Sequence, residues 1–320
     1  MTGGCTNTNC YVADGESCPL GHPAEVGCPN WSSAETSNSS SEEVASQNES
    51  AAYKVPWSGS ALGSNDFINF TPRGRSALIG VLGAENSGKT TFLVGCYLKL
   101  LTGSSLDNKA FFGSYTLGAW ESLASWVRFD DENHLSSFPP HTPRSADRVP
   151  GVLHLALKDK GTDQHCDVLL TDAPGEWFSS WSMNENNPEA EGAQWVVKHS
   201  DAFIVFADSD KLSGSQRGQA RNELRQLIER LSNHIGNKPV FLFWAKSDKK
   251  PPEGIISSLR KALGDNIKNS HEMDISVERN ETLVNALSRV TKQIWAPPLA
   301  NPIVEPICQR SPFYAFRGRG

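Results

Sequence analysis

The chain has 320 residues, 38% of them hydrophobic, and a formal net charge of −6. That length allows one large α/β domain with attachments or two small domains. The acidic balance excludes a general affinity for nucleic-acid backbones, which calls for a basic surface. No run of eighteen apolar residues reads as a membrane span, and Met1–Cys5 lack the charged and apolar regions of a signal peptide. The expectation is a cytoplasmic protein that does not engage a membrane.

Four of the seven cysteines lie within the first 28 residues. Residues 1–31 read as a cysteine-rich head with the spacing Cys5-x4-Cys10-x7-Cys18-x3-His22-x5-Cys28. Four thiols and one imidazole suffice for a tetrahedral Zn²⁺ site. Free thiols and disulfides are the other readings, and the spacing does not choose four ligands from the five. A segment this short has no core of its own and folds only around a metal or disulfides. Residues 32–52 are rich in Ser, Glu and Asn and poor in large apolar side chains, which predicts a flexible linker.

From residue 53 to 296, strand-like and helix-like patterns alternate. Residues 76–82 form a wholly apolar strand candidate, and Phe92, Leu93, Cys96, Tyr97 and Leu100 form one stripe of a helix from Thr90 to Leu101. Residues 152–157 alternate like a partly exposed strand, while 167–171, 202–206 and 240–244 read as buried strands. Leu224, Leu227, Ile228 and Leu231 mark a helix, 273–277 the last strand, and Leu283, Leu287, Val290 and Ile294 a closing helix. This order predicts a three-layer α/β/α domain with a mostly parallel central sheet. Five prolines between Pro297 and Pro312 predict an extended tail over 297–320, with aromatic Phe313, Tyr314 and Phe316 near its end.

Three motifs carry chemistry. Gly83-Ala84-Glu85-Asn86-Ser87-Gly88-Lys89-Thr90 fits G-x-x-x-x-G-K-[ST] between a strand and a helix. Its glycines let backbone N–H groups wrap phosphates, and the helix N-terminus adds favourable charge. Lys89 is expected on the β- and γ-phosphates and Thr90 on Mg²⁺, with Glu85, Asn86, Ser87 and Thr91 completing the contact surface. Asp172-Ala173-Pro174-Gly175 follows a buried strand, where an acid can hold Mg²⁺ and a glycine N–H can approach the γ-phosphate. Lys246-Ser247-Asp248 follows strand 240–244, where a lysine stem can cover a purine and a carboxylate can accept from guanine N1 and N2.

In this order the motifs resemble those of the translation-factor-related (TRAFAC) class of P-loop GTPases, over roughly residues 75–296. The tryptophan-rich insert after the first helix, the Asp172–Glu176 string and the cysteine-rich head look similar to a bacterial double-GTPase-type branch linked to conflict or stress systems. The resemblance implies GTP or GDP as ligand and a hydrolysing switch. It implies a first-switch threonine, for which Thr142 stands about fifty residues after Thr90 beyond an inserted helix at about 114–128. Arg144 would be a built-in arginine finger or a surface arginine, and Ser276 the start of a fifth motif.

Two departures qualify the resemblance. Ala245 stands where Asn or Thr usually ties the base loop to the phosphate loop, and Glu176 stands where many members carry a water-orienting glutamine. Slow hydrolysis without a partner follows from the second. A P-loop ATPase and a nucleotide-bound scaffold with little turnover are the alternatives. Switch segments at about 138–150 and 171–192, the head and the tail are the expected protein-docking elements. Trp120, Trp126, Trp177, Trp181 and Trp195 read either as packing or as an aromatic partner surface.

Overall fold

The computed structural model describes residues 61–63, 66–67, 75–128, 150–162 and 164–295, with two short strands in the head. Two compact units divide the chain, Met1–Ala51 and Ala52–Gly320. In the first, β1 (Gly4–Cys5) pairs antiparallel with β2 (Trp31–Ser32). Cys10, Cys18, His22 and Cys28 lie outside the described residues, as do the side chain of Cys5, the linker beyond Ser32 and the tail.

The second unit holds β3 (Arg75–Gly83), α1 (Lys89–Leu101), β4 (Lys109–Gly113), α2 (Leu117–Arg128), β5 (Gly151–Asp159) and β6 (His165–Asp172). It continues with α3 (Gly175–Met183), α4 (Glu191–His199), β7 (Ala202–Asp208), α5 (Ser209–Ser213), α6 (Arg217–Ile235), β8 (Val240–Ala245), α7 (Glu253–Asn266), β9 (Ser270–Asp274) and α8 (Asn280–Ile294). One seven-stranded sheet runs β4-β5-β6-β3-β7-β8-β9. From β6 to β9 every pairing is parallel, and β4 and β5 add an antiparallel edge.

Strand β3 lies at the centre because it is apolar on both faces. Ala77, Ile79 and Val81 join Phe92, Leu93, Leu287 and Val290 of α1 and α8 on one side. Leu82 joins Trp177, Phe178, Val196 and Leu231 of α3, α4 and α6 on the other. Burial on both faces is what an unbroken apolar run in a parallel sheet requires. The three-layer expectation therefore holds. Phe92 is a buried anchor of this layer, edge-on to Phe206 at 5.6 Å and Phe243 at 5.3 Å.

Several elements differ from the expectation. The last strand is Ser270–Asp274, not 273–277, because β8 pairs Val240 with Ser270 and Trp244 with Asp274, which ends the ladder there. Strand β5 is buried throughout 152–157 rather than partly exposed. Its polar residue, His154, is satisfied internally: Nδ1 accepts from the Tyr115 N–H at 2.9 Å, and Nε2 lies 2.9 Å from Asp167 Oδ1. An accepting Nδ1 places the ring proton on Nε2, which donates to Asp167. The His154 backbone carbonyl accepts from Ser114 and from Trp120 Nε1, so the inserted helix α2 is pinned onto β5.

The tryptophans do not form a shared exposed surface. Trp120, Trp177 and Trp181 are buried, Trp195 is half-buried against Phe67 and His199, and only Trp126 of the five is exposed. The segment expected as a mobile second switch contains α3, whose Trp177, Phe178 and Trp181 belong to the core. The break after α3 falls where Asn184-Glu185-Asn186-Asn187-Pro188 predicts one.

Candidate functional site

A cleft of about 490 Å³ opens at the carboxyl edge of the parallel strands. This is where open α/β sheets place their ligands. It is lined by Glu85 through Phe92, by Ala173 through Glu176, by Ala245, Lys246 and Asp248, and by Ile275 through Glu278. The three motif loops, after β3, β6 and β8, are thus brought to one cavity together with the loop after β9.

The phosphate loop is shaped by two left-handed residues, Asn86 at φ 62° and Gly88 at φ 94°. Gly88 suits that conformation because it has no Cβ to clash. It also precedes α1 without any side-chain cap. The first-turn N–H groups of a helix have no partner within the helix, which makes this end a site for anions. The Ser87 hydroxyl is buried there and makes no hydrogen bond among the described residues. Lys89 is 7% exposed, and its ammonium donates to the carbonyls of Gly83 at 3.0 Å and Ala84 at 2.9 Å. Burial pushes its pKa down to about 8 against the pull of Asp172 and Glu176. The Thr90 hydroxyl donates to Asp172 Oδ1 at 2.9 Å, so the two side chains expected on Mg²⁺ stand together.

Gly175 begins α3 directly against the phosphate loop. A Cβ there would lie 2.2 Å from the Glu85 nitrogen and 2.5 Å from the Ala84 carbonyl carbon, so only glycine permits this approach. Glu176 follows on the cavity side.

On the base side, Lys246 is left-handed at φ 55° and its Nζ donates to Asp208 Oδ2 at 2.8 Å. Ser276 Oγ lies 3.5 Å from Asp248 Oδ1, the long end of a hydrogen bond. The Ser247 N–H donates to the Ile275 carbonyl at 3.1 Å, and Arg279 donates to the Ser247 hydroxyl at 2.7 Å. Ser276 and its neighbours reach the cavity because β9 ends at Asp274, which frees 275–279 as a loop.

Glu85 through Thr91, Gly175, Glu176, Lys246, Asp248 and Ser276 all line the cleft. Gly83 sits behind it at the end of β3, and Asp172 reaches it through Thr90. Thr142 and Arg144 lie outside the described residues. Asp210 and Lys249 also line the cleft, with no motif in the sequence to mark them. Asp208 was missed as well, although an acid closing an apolar strand, as in Ala202–Asp208, repeats the pattern of Asp172 at the end of β6. Among the described residues no cluster of three or more His, Cys, Asp or Glu side chains could hold a metal ion, and no helix is long and apolar enough to cross a membrane.

A glycine-rich turn from a central strand into a helix, an acid closing the next strand and a base-facing loop beyond define a P-loop nucleotide-binding protein of the GTPase type. The model of the Double-GTPase 2 family matches residues 77–293, more than half of the chain, and the chain belongs to that family. No curated protein matches it. Among solved structures it is similar to translation elongation factor SelB from Methanococcus maripaludis in complex with the GTP analogue GppNHp, at 16% identity and a TM-score of 0.36. That similarity covers 71% of this chain and 36% of the elongation factor, so the chain spans about a third of that protein.

Proposed function

We propose that this protein binds GTP and GDP in the 490 Å³ cleft, hydrolyses GTP, and acts as a cytoplasmic switch in a bacterial-type signalling or defence assembly. The observation that carries the reading is the meeting of all three loops in one cleft. In it, Lys89 and the N–H groups of 85–91 take the phosphates, the Lys246 stem covers the base, and Asp248 accepts from guanine N1 and N2. Ser276 supports Asp248.

The family implies Mg²⁺ with the nucleotide. The Thr90 hydroxyl and Asp172 carboxylate are hard oxygen donors at the phosphate end, and they fit that ion. When bound, Mg²⁺ neutralises charge on the β- and γ-phosphates. Thr142 is the proposed first-switch contact, and Arg144 and Glu176 are the proposed aids to attack by water. A carboxylate at position 176 is a poor substitute for a water-orienting amide, so turnover is slow until a protein partner engages the segments near 138–150 and 172–192. The head, as a zinc module built from four of Cys5, Cys10, Cys18, His22 and Cys28, and the tail are proposed docking elements. The domain reading that goes with this is head 1–31, linker 32–52, GTPase domain 53–296 and tail 297–320.

The test is equilibrium binding of fluorescent GDP, with GTP and ATP as competitors, to the wild type and to Asp248→Ala. Guanine selectivity that the variant loses supports the reading. Equal competition by ATP, with no effect of Asp248→Ala, removes the base-reading role and leaves a general P-loop nucleotidase.

A further inference from the structure

The base loop and the phosphate loop meet without a polar side chain at position 245. Ala245 is buried, and it contributes only an apolar apposition: a Cβ on Gly88 would lie 3.9 Å from the Ala245 Cβ. Lys246, the next residue, nevertheless holds a left-handed backbone. Such geometry at a residue with a side chain is strained and persists where the surroundings impose it.

Asp208 supplies that surrounding. Its carboxylate is 6% exposed, and a buried carboxylate needs partners on both oxygens. Oδ2 accepts from Lys246 Nζ at 2.8 Å. Oδ1 accepts from the N–H groups of Asp210 at 3.1 Å and Lys211 at 3.3 Å, which caps α5. Lys211 Nζ then donates to the Glu85 carbonyl, inside the phosphate loop, at 2.7 Å. One carboxylate therefore sits in a continuous line from Lys246 through α5 and Lys211 to Glu85.

We propose that Asp208 is a positioning residue for nucleotide binding: acting through Lys246, with Lys211 as its second arm, it makes the link between base loop and phosphate loop that Ala245 cannot make. The inference rests on the base-loop reading given above. A cap for α5 alone would use only Oδ1. The second oxygen, spent on a lysine at the cleft, is what points to positioning.

Asp208→Asn separates the two roles. It keeps an acceptor for the Asp210 and Lys211 N–H groups and puts an amide, which carries no charge, against the ammonium. Affinity for fluorescent GDP is measured for the wild type, Asp208→Asn, Lys246→Met and the double variant. Each single change is expected to weaken binding roughly tenfold, as for loss of one charge-assisted hydrogen bond. In the Lys246→Met background Asp208→Asn is expected to cost less than about twofold. The same loss in both backgrounds, or no loss in the wild type, overturns the proposal. Wild-type affinity in Lys246→Met alone is a different result, because it removes the base-loop reading itself. If Asp208→Asn does not fold, Lys211→Met probes the line from its other end. A loss of roughly threefold that disappears in the Lys246→Met background supports the link, and full additivity overturns it.

Discussion

Raising the pH probes Lys89 without changing a single residue. In the nucleotide-free chain its ammonium loses its proton near pH 8, because burial outweighs the attraction of Asp172 and Glu176. A bound phosphate adds opposite charge and returns the lysine to its protonated form. Nucleotide binding above pH 8 therefore takes up a proton, and affinity falls as pH rises. With a free-state value of about 8 and a bound state that stays protonated, GDP binding at pH 8.5 is about fourfold weaker than at pH 7, with uptake of about three quarters of a proton. Titration calorimetry at pH 8.5 in buffers of different ionisation enthalpy reads that uptake directly. Lys89→Arg, which stays charged, is expected to show none. Wild-type binding with no proton uptake at pH 8.5 would refute the reasoning. The same lysine makes the free protein more stable as pH rises from 8 to 9, by about 1 kcal/mol, since the unfolded lysine keeps its proton up to about 10.5. Above pH 9 the sign turns. Burial raises the Cys96 thiol and the Tyr97 phenol, so the folded chain retains protons that the unfolded chain releases.

Gly175→Ala places a methyl group 2.2 Å from backbone that has no rotamer to yield, so it is expected to cost about 1–3 kcal/mol and lower Tm of the free protein by several degrees. An unchanged Tm would mean that α3 does not rest on the phosphate loop in solution. Phe92→Ala removes the ring held between Phe206 and Phe243 and is expected to cost about 3–5 kcal/mol in urea unfolding, with an unchanged m-value. A loss under about 1 kcal/mol would contradict the packing of α1 on the sheet.

What was legible in the sequence is what local pattern decides. The run from Ser76 to Leu82, the glycine-rich turn and the stripe beginning at Phe92 are consecutive, and each has its own period or motif. The acid of Asp172 and the loop of Lys246 and Asp248 were legible because each follows an apolar strand. The elements that local pattern misplaces or leaves unmarked depend on distant partners. Strand β9 reads Ser270-His271-Glu272-Met273-Asp274, with little apolar signal, and it is a strand only because β8 pairs with it. Helix α3 carries glycine, serine and three bulky aromatics, a poor helical composition that burial against Leu82 and α6 overrides. Helix α7 gives little local signal because its apolar face, Ile256, Leu259, Ala262 and Leu263, is thinly spread among charged and small residues. Asp208 had no legible role because the lysine it holds lies 38 residues further along the chain.

The backbone contact between Gly175 and the phosphate loop gives α3 the character of a lever. Its nine residues span about 13 Å. They are stiffened by Trp177, Phe178 and Trp181 on the buried side, and the far end carries Met183, which is 69% exposed. A close-packed interior does not absorb a shift at one end by local compression. A shift of the phosphate loop would therefore have to move α3 together with its core contacts, and could not be taken up by a single side chain.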